Sequence, residues 1–281
     1  MPSTSARRHY GSDSYWEERY SGSRTEANCT DEWLLSWAQL DPLLAVPKDA
    51  QVLDIGCGTS SLAYDMLRAS SRAARVVAID NSASAIKRQK VEQKRRIAHG
   101  EASASRIDFI CVDACLDTPT AASSKLFDVV IDKSTTDGLL CDTKRGADRV
   151  RQIYANVAAS LNPSGAQIAV ISWRDPSDGV EFLLDCVLGP LKQHRPQGQG
   201  AREEVEGSSG SDDARVSWSL DVHSIVRQNA DGGEASSGPH VYLLRRRSLR
   251  RSKRRRESTD EEDDEEDVVM RHHIHEMDDE G

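Results

Sequence analysis

Residues 51–60, QVLDIGCGTS, constrain the chain more than any other stretch. Val52, Leu53 and Ile55 make the apolar run of a short buried strand. Asp54, Gly56, Cys57 and Gly58 then turn the backbone tightly. Thr59, Ser60 and Ser61 offer side-chain oxygens to the free N–H groups at the start of a helix. A strand, a glycine turn and a helix N-terminus in that order cradle the ribose or phosphate part of a nucleotide-like ligand. Glycine lets a ligand approach the backbone, and the helix end presents unpaired donors. The same turn also serves as a plain connection, so the functional reading depends on the strands and helices downstream of it.

Apolar runs recur downstream, each trailed by a helical pattern. RVVAIDNS (75–82) reads as a second strand ending at Asp80, with Asn81 next and a helix over about 82–98. RIDFICVDA (106–114) reads as a third strand ending in Asp113, and KLFDVVIDKST (125–135) as a fourth ending in Asp132 and Lys133. A helix of about 142–161 leads to LNPSGAQIAVISW (161–173), a fifth strand behind a Pro163–Gly165 turn. This alternation predicts an α/β fold with a parallel sheet and helices on both faces, whose ligand sits at the carboxyl ends of the strands. Asp54, Asp80, Asp113 and Asp132 fall at those ends and are expected to share one rim. Clustered like charges oppose one another, so such a rim points to a site rather than to folding alone. Past a helix over 177–192, RVSWSLDVHSIV (215–226) and PHVYLLRR (239–246) alternate as two strands of an antiparallel hairpin at the sheet edge.

Ahead of the glycine turn, GSDSYWEERYSG (11–22) suits a helix capped by Asp13 or Ser14. Tyr15 and Arg19 lie four apart on it with Trp16 beside them, either docking the helix or covering a ligand. DEWLLSWAQLDPLL (31–44) carries Trp33, Leu34, Trp37, Leu40 and Leu44 at helical spacing. It reads as a core helix with Asp31 as cap and Pro42 marking its disruption.

Several ligand classes are disfavoured. The third glycine of a dinucleotide turn is replaced by Ser61, and no Gly-Lys-Ser/Thr follows, which excludes a P-loop. Asp54, before the first glycine, would repel a pyrophosphate and suits a cation. The six cysteines are scattered, and Cys111 with Cys115 has no second pair at zinc spacing, so no metal site is expected. No apolar run approaches the roughly 18–20 residues of a membrane span, and no apolar signal segment opens the chain, which points to a soluble, cytoplasmic protein without a membrane partner.

Taken together, VLDIGCGTS, VVAIDNSASAI, FICVDA, FDVVIDKST and LNPSGAQIAVIS resemble the successive motifs of class I S-adenosylmethionine-dependent methyltransferases over about 51–173. The resemblance implies a Rossmann-like seven-stranded sheet with an antiparallel C-terminal hairpin, and S-adenosyl-L-methionine as cofactor. It places Asp54, Gly56 and Gly58 along the methionine part, Asp80 with Asn81 at the ribose, and Asp113 with Ala114 at the adenine. More narrowly, YWEERY, the Trp-rich segment, DKSTTDGLL and HVYLLRR resemble protein-lysine methyltransferases acting on elongation factor 1-alpha and similar targets, a subgroup that shades into relatives acting on citrate synthase. Its phrase Asp-Lys-Gly-Thr-x-Asp has Ser134 in place of the glycine here. On this likeness Asp132 and Asp137 orient a lysine amine, Asp132 also borders the cofactor, Lys133 beside them makes a structural ion pair rather than acting as a base, and Tyr15 and Trp16 cover cofactor or substrate. A translation factor is the implied protein substrate. Alternatives are a small-molecule or RNA methyltransferase, a spermidine-synthase-like aminopropyltransferase, or a non-catalytic cofactor-binding protein. No Asn-Pro-Pro-Tyr phrase, used for base amines, follows the fourth strand.

The expected domain runs from 10 to 248, after a disordered N-terminus (1–9), with a polar loop insertion at about 194–214. Residues 249–281 read as a disordered tail. Over 245–281 there are ten Lys/Arg against thirteen Asp/Glu, sorted into a basic run (RRRSLRRSKRRR) and an acidic one (DEEDDEED). The basic run is either a nuclear import signal or contact for RNA, or a solvated partner of the acidic block. In such a tail HHIHE (272–276) reads as incidental rather than as a metal tract.

Overall fold

The apolar run ahead of the glycine turn forms β1 (Ala50–Ile55) at the centre of a single sheet. The structure, a computed structural model, describes residues 9–22, 32–68, 73–119, 126–193, 216–227, 236–248 and 268–277. β2 (Ala73–Asp80) and β3 (Ile107–Cys111) lie to one side of β1, with β4 (Val129–Lys133) and β5 (Gln167–Ser172) to the other, all parallel. Their Val, Ile and Leu runs are apolar on both faces, as strands covered on both sides require. β6 (Val216–Arg227) and β7 (Ser236–Ser248) form the expected antiparallel pair, with β7 against β5. An eighth strand, β8 (Val268–Met277), runs parallel to β6 at the edge, giving the order β3-β2-β1-β4-β5-β7-β6-β8.

Helices cover both faces. Trp37, Leu40 and Leu44 of α2 (Trp37–Leu44) pack with Leu62, Met66 and Leu67 of α3 (Leu62–Arg68) and Ile86 of α4 (Ala83–Ala98) over Val52, Val129 and Ile131. On the other face Val150, Ile153, Tyr154 and Val157 of α6 (Gly146–Ala158), with α7 (Pro176–Leu183) and α8 (Gly189–Gln193), cover Leu53, Ile55, Val130 and Val170. Each such side chain contributes roughly 1.5–3 kcal/mol when taken out of water.

Four expectations are corrected. The helix over 31–44 begins only at Trp37. Ser36 is its cap, and the Gln39 side-chain oxygen accepts from the Ser36 amide at 2.9 Å, so the helix starts where these two groups satisfy each other. Leu34 just before it has φ 67°, which no helix continues. The stretch 142–161 is α6 alone, preceded by a separate short helix α5 (Thr135–Leu140). β3 ends at Cys111, two residues short of Asp113. Within the stretch expected to be a structureless tail, 268–277 is β8, and the sheet has eight strands instead of seven. The proposed loop insertion at 194–214, and residues 1–8 and 249–267, lie outside the described residues.

Strand alternation decides where the rim charges go. Asp54 is the register partner of both Ala78 and Ile131, so Asp80 and Lys133, two residues further along their strands, share its face. Asp132 is the partner of Ile55 and points to the opposite face. The expected four-carboxylate rim is thereby split.

Candidate active site

The glycine turn is held open by its neighbours. Gly56 and Gly58 have φ 65° and 49°, a left-handed backbone that glycine adopts at no steric cost. A Cβ on Gly56 would fall 1.9 Å from Thr135 Oγ1, and one on Gly58 would fall 2.5 Å from the Tyr20 hydroxyl. Thr135 Oγ1 donates to the Ile55 carbonyl at 2.8 Å, and so ties the start of α5 to the end of β1. Asp80 accepts from the amides of Gly58 and Ser82, both at 2.8 Å. Burial pushes its carboxyl up, and the two amides oppose that shift.

Asp54 is 3% exposed, lines the cleft, and receives no hydrogen bond among the described residues. Desolvation raises its pKa to about 7. Lys133 pulls it down, while Glu32, Asp80 and Asp132 push it up. A buried carboxyl in this state favours a cationic ligand.

The N-terminal segment closes one wall. α1 (Asp13–Ser21) lies against α4, and its Glu17 accepts from Ser82 Oγ at 2.6 Å and Ser84 Oγ at 2.5 Å. These hydroxyls, led by Ser82, hold the Glu17 carboxyl below its usual range. Asp13 accepts from Asn81 Nδ2 at 2.9 Å and from Arg149 at 2.7 Å. Trp16 donates Nε1–H to the Tyr10 carbonyl at 2.7 Å, stacks on Tyr20 at 6.0 Å, and meets Trp33 edge-on at 5.9 Å. Glu32 accepts from Lys133 Nζ, from both Ser60 and Ser61 hydroxyls, and from the Ser61 amide.

The cleft takes in about 990 Å³ when the open solvent at its mouth is counted. Its walls include Trp16, Asp54, Gly56, Gly58, Asp80, Asn81, Asp113, Ala114 and Lys133. These nine expected residues are therefore brought together.

Residues 47–171 match the model of a methyltransferase domain. The chain is an S-adenosylmethionine-dependent methyltransferase. It is 27% identical over 184 residues to the mitochondrial citrate synthase-lysine N-methyltransferase of Danio rerio, covering 62% of this chain and 71% of that protein. Identity is 29% over 168 residues to EEF1A lysine methyltransferase 4 of Mus musculus, covering 56% of this chain and 60% of that one. Among solved structures, a predicted O-methyltransferase of Agrobacterium tumefaciens, protein Atu636, superposes with TM-score 0.50 at 15% identity over 88% of this chain and 90% of that one, which shows the fold.

The methyltransferase's cleft fits its cofactor by two observations: the glycine cradle has no room for a side chain, and a buried, unbonded carboxylate suits a cationic group. Three expected residues stand elsewhere. Tyr15 is outside the cleft, with its ring 5.1 Å from those of Tyr10 and Trp16, because one residue's step around α1 turns it from Trp16's side. Asp132 is fully buried and accepts from Thr135 N, Thr136 N, Thr136 Oγ1 and Tyr154 OH, which makes it the anchor of α5 rather than a group facing cofactor or amine. Asp137 accepts from Ser172 Oγ at 2.5 Å and the Trp173 amide at 2.9 Å, binding α5 to the end of β5. Trp33, read as core, is a cleft wall. Tyr10, Asp13, Tyr20, Thr135 and Arg149 also line the cleft, beyond the residues expected there. Of these only Tyr20, four residues after Trp16, leaves a signal in the sequence.

Proposed function

We infer that this methyltransferase modifies lysine side chains of a protein substrate, with a translation factor such as elongation factor 1-alpha as the leading target. The observation that carries the reading is the cleft wall of Tyr10, Trp16 and Trp33, whose aromatic rings suit an amine arriving as a cation and then losing water. The two lysine methyltransferases among its relatives support the same substrate class.

Bound S-adenosylmethionine supplies a methyl carbon already activated by its sulfonium, so the protein's task is to bind, align and exclude water. Asp54, Gly56 and Gly58 would hold the methionine part, Asp80 and Asn81 the ribose, and Asp113 with Ala114 the adenine. Both Asp80 oxygens keep a free lone pair beside the Gly58 and Ser82 amides, enough to accept from sugar hydroxyls. Trp16 and Trp33 keep water from the reacting pair. A lysine amine, pKa about 10.4 in water, becomes nucleophilic once apolar walls disfavour its charged form and its proton leaves to solvent at the mouth. Asp137 acts at one remove, by fixing Trp173 at the end of β5. We place the protein in the cytoplasm, with nuclear entry through the basic run at 245–256. No helix among the described residues is long and apolar enough to cross a membrane.

The test is incubation with tritiated S-adenosylmethionine and cell extract, followed by hydrolysis and amino-acid analysis of labelled protein. Label in methyl-lysine that Asp54→Ala abolishes supports the reading. Label confined to RNA or small molecules overturns it.

A further inference from the structure

Lys133 stands between two carboxylates that compete for it. It lines the cleft with its side chain 5% exposed, on the same sheet face as Asp54. Its ammonium is not bonded to Asp54. It is held by the Glu32 carboxylate and by the Trp33 carbonyl at 3.0 Å, both on the segment just before α2. Glu32 is itself fixed from the other side, accepting from Ser60 Oγ at 3.0 Å and from the Ser61 amide at 3.1 Å at the start of α3. Glu32 thus occupies a lysine that could otherwise neutralise Asp54, and Lys133 in turn fastens the segment carrying Trp33 to the cleft wall.

We propose that Glu32 is a positioning residue for the cofactor, keeping the Lys133 ammonium away from Asp54 so that the Asp54 carboxylate is left for the cationic methionine end. The proposal rests on the assignment of the cleft to S-adenosylmethionine. The physical reason is charge count. Asp54, Asp80 and Lys133 line the cleft, Glu32 adds a further negative charge felt at Asp54, and Asp132 lies behind the sheet. With the Glu32–Lys133 pair formed, these two charges cancel and Asp54 attracts a cation. With Glu32 neutral, Lys133 turns to Asp54, and an incoming cation meets a carboxylate already paired. A role for Glu32 in anchoring the segment alone predicts a different outcome, because removing Lys133 as well, which also holds the Trp33 carbonyl, would loosen the segment further and could not restore affinity.

The experiment compares wild type, Glu32→Gln, and the double variant Glu32→Gln/Lys133→Met. Cofactor affinity is read by calorimetry, and the Asp54 titration midpoint is followed by carboxyl NMR in the cofactor-free protein. Glu32→Gln keeps the shape and an acceptor oxygen for Lys133, and circular dichroism checks its fold. The expected result is an affinity loss of roughly tenfold in Glu32→Gln with a lowered Asp54 midpoint. Adding Lys133→Met should restore affinity to within about threefold of wild type, since it removes the competing cation at the same net charge. An unchanged affinity in Glu32→Gln, or a double variant as weak as the single one, overturns the proposal. Failure of wild type itself to bind S-adenosylmethionine would instead strike the cofactor assignment.

Discussion

The cofactor half of the sheet and its C-terminal edge bury titratable groups in opposite senses. At β1, β2 and β4 the buried groups are carboxylates raised by desolvation, with Asp54 at about 7. At β6 and β7 they are the imidazoles of His223 and His240, pushed down by burial. His223 lies on β6 with its ring stacked on those of His273 and His275 at 4.7 and 5.0 Å, and its Nδ1 is 2.8 Å from His275 Nε2. Burial, then the two neighbouring imidazoles, lowers its pKa to about 4, against a smaller pull from Asp221. On the opposite face His272 Nε2 and His240 Nδ1 meet Ser224 Oγ at 2.8 and 2.9 Å. No group of three or more metal-binding side chains among the described residues could hold an ion. Desolvation favours the neutral form in both regions, the protonated one at Asp54 and the unprotonated one at His223.

That contrast can be broken most severely at the glycine turn. Gly56→Ala places a methyl on the Thr135 hydroxyl in a left-handed backbone, and cofactor affinity by calorimetry should fall more than about 100-fold. Asp80→Ala comes next. It removes the acceptor proposed for the ribose and leaves the Gly58 and Ser82 amides unpaired, which should weaken binding severely and cost the fold about 1–3 kcal/mol in urea titration.

Acidity sharpens the comparison. Asp54 binds its proton more tightly folded than unfolded, so its contribution to stability is present at low pH and is lost as pH rises from about 4 through about 7. Asp54→Asn should therefore stabilise the cofactor-free protein above pH 7, while wild-type cofactor affinity rises through the same range. For His223 the sign reverses. Its folded pKa lies below the unfolded one, so its contribution is present above about 6.5 and is lost as pH falls toward about 4. Melting curves of wild type and His223→Gln between pH 4 and 7 should show a slope in the first and a flatter line in the second, with a difference on the order of 1–2 kcal/mol.

The smallest effect belongs to Ser134, whose φ of 73° is a left-handed backbone that glycine adopts more readily. Ser134→Gly should gain about 0.5–1 kcal/mol in thermal unfolding, with little change in cofactor affinity.

The parallel half was legible because its strands are uninterrupted apolar runs closed by Asp or Gly, a pattern set by burial on both faces. The glycine cradle, Asp54, Asp80 and Asp113 followed from position alone. Side-chain direction was harder. Asp132 and Lys133 are neighbours in the chain, yet the pleat sends one behind the sheet and the other into the cleft. Glu32 and Trp33 looked helical because Trp33, Trp37, Leu40 and Leu44 keep helical spacing, but the Ser36–Gln39 cap overrides that periodicity. β8 was hidden for the opposite reason. Val269, Met270 and Ile274 are 59%, 59% and 72% exposed, so the strand carries no buried apolar stripe and docks through histidines instead.

β8 also changes what the oppositely charged run can be. β7 ends at Ser248, beside Val216, and β8 starts at Val268, beside Trp218, so both meet the same end of β6. Two strand spacings, about 10 Å, separate these points. In sequence, most of the basic block and all of the acidic one therefore fall between two strands that flank β6 on either side.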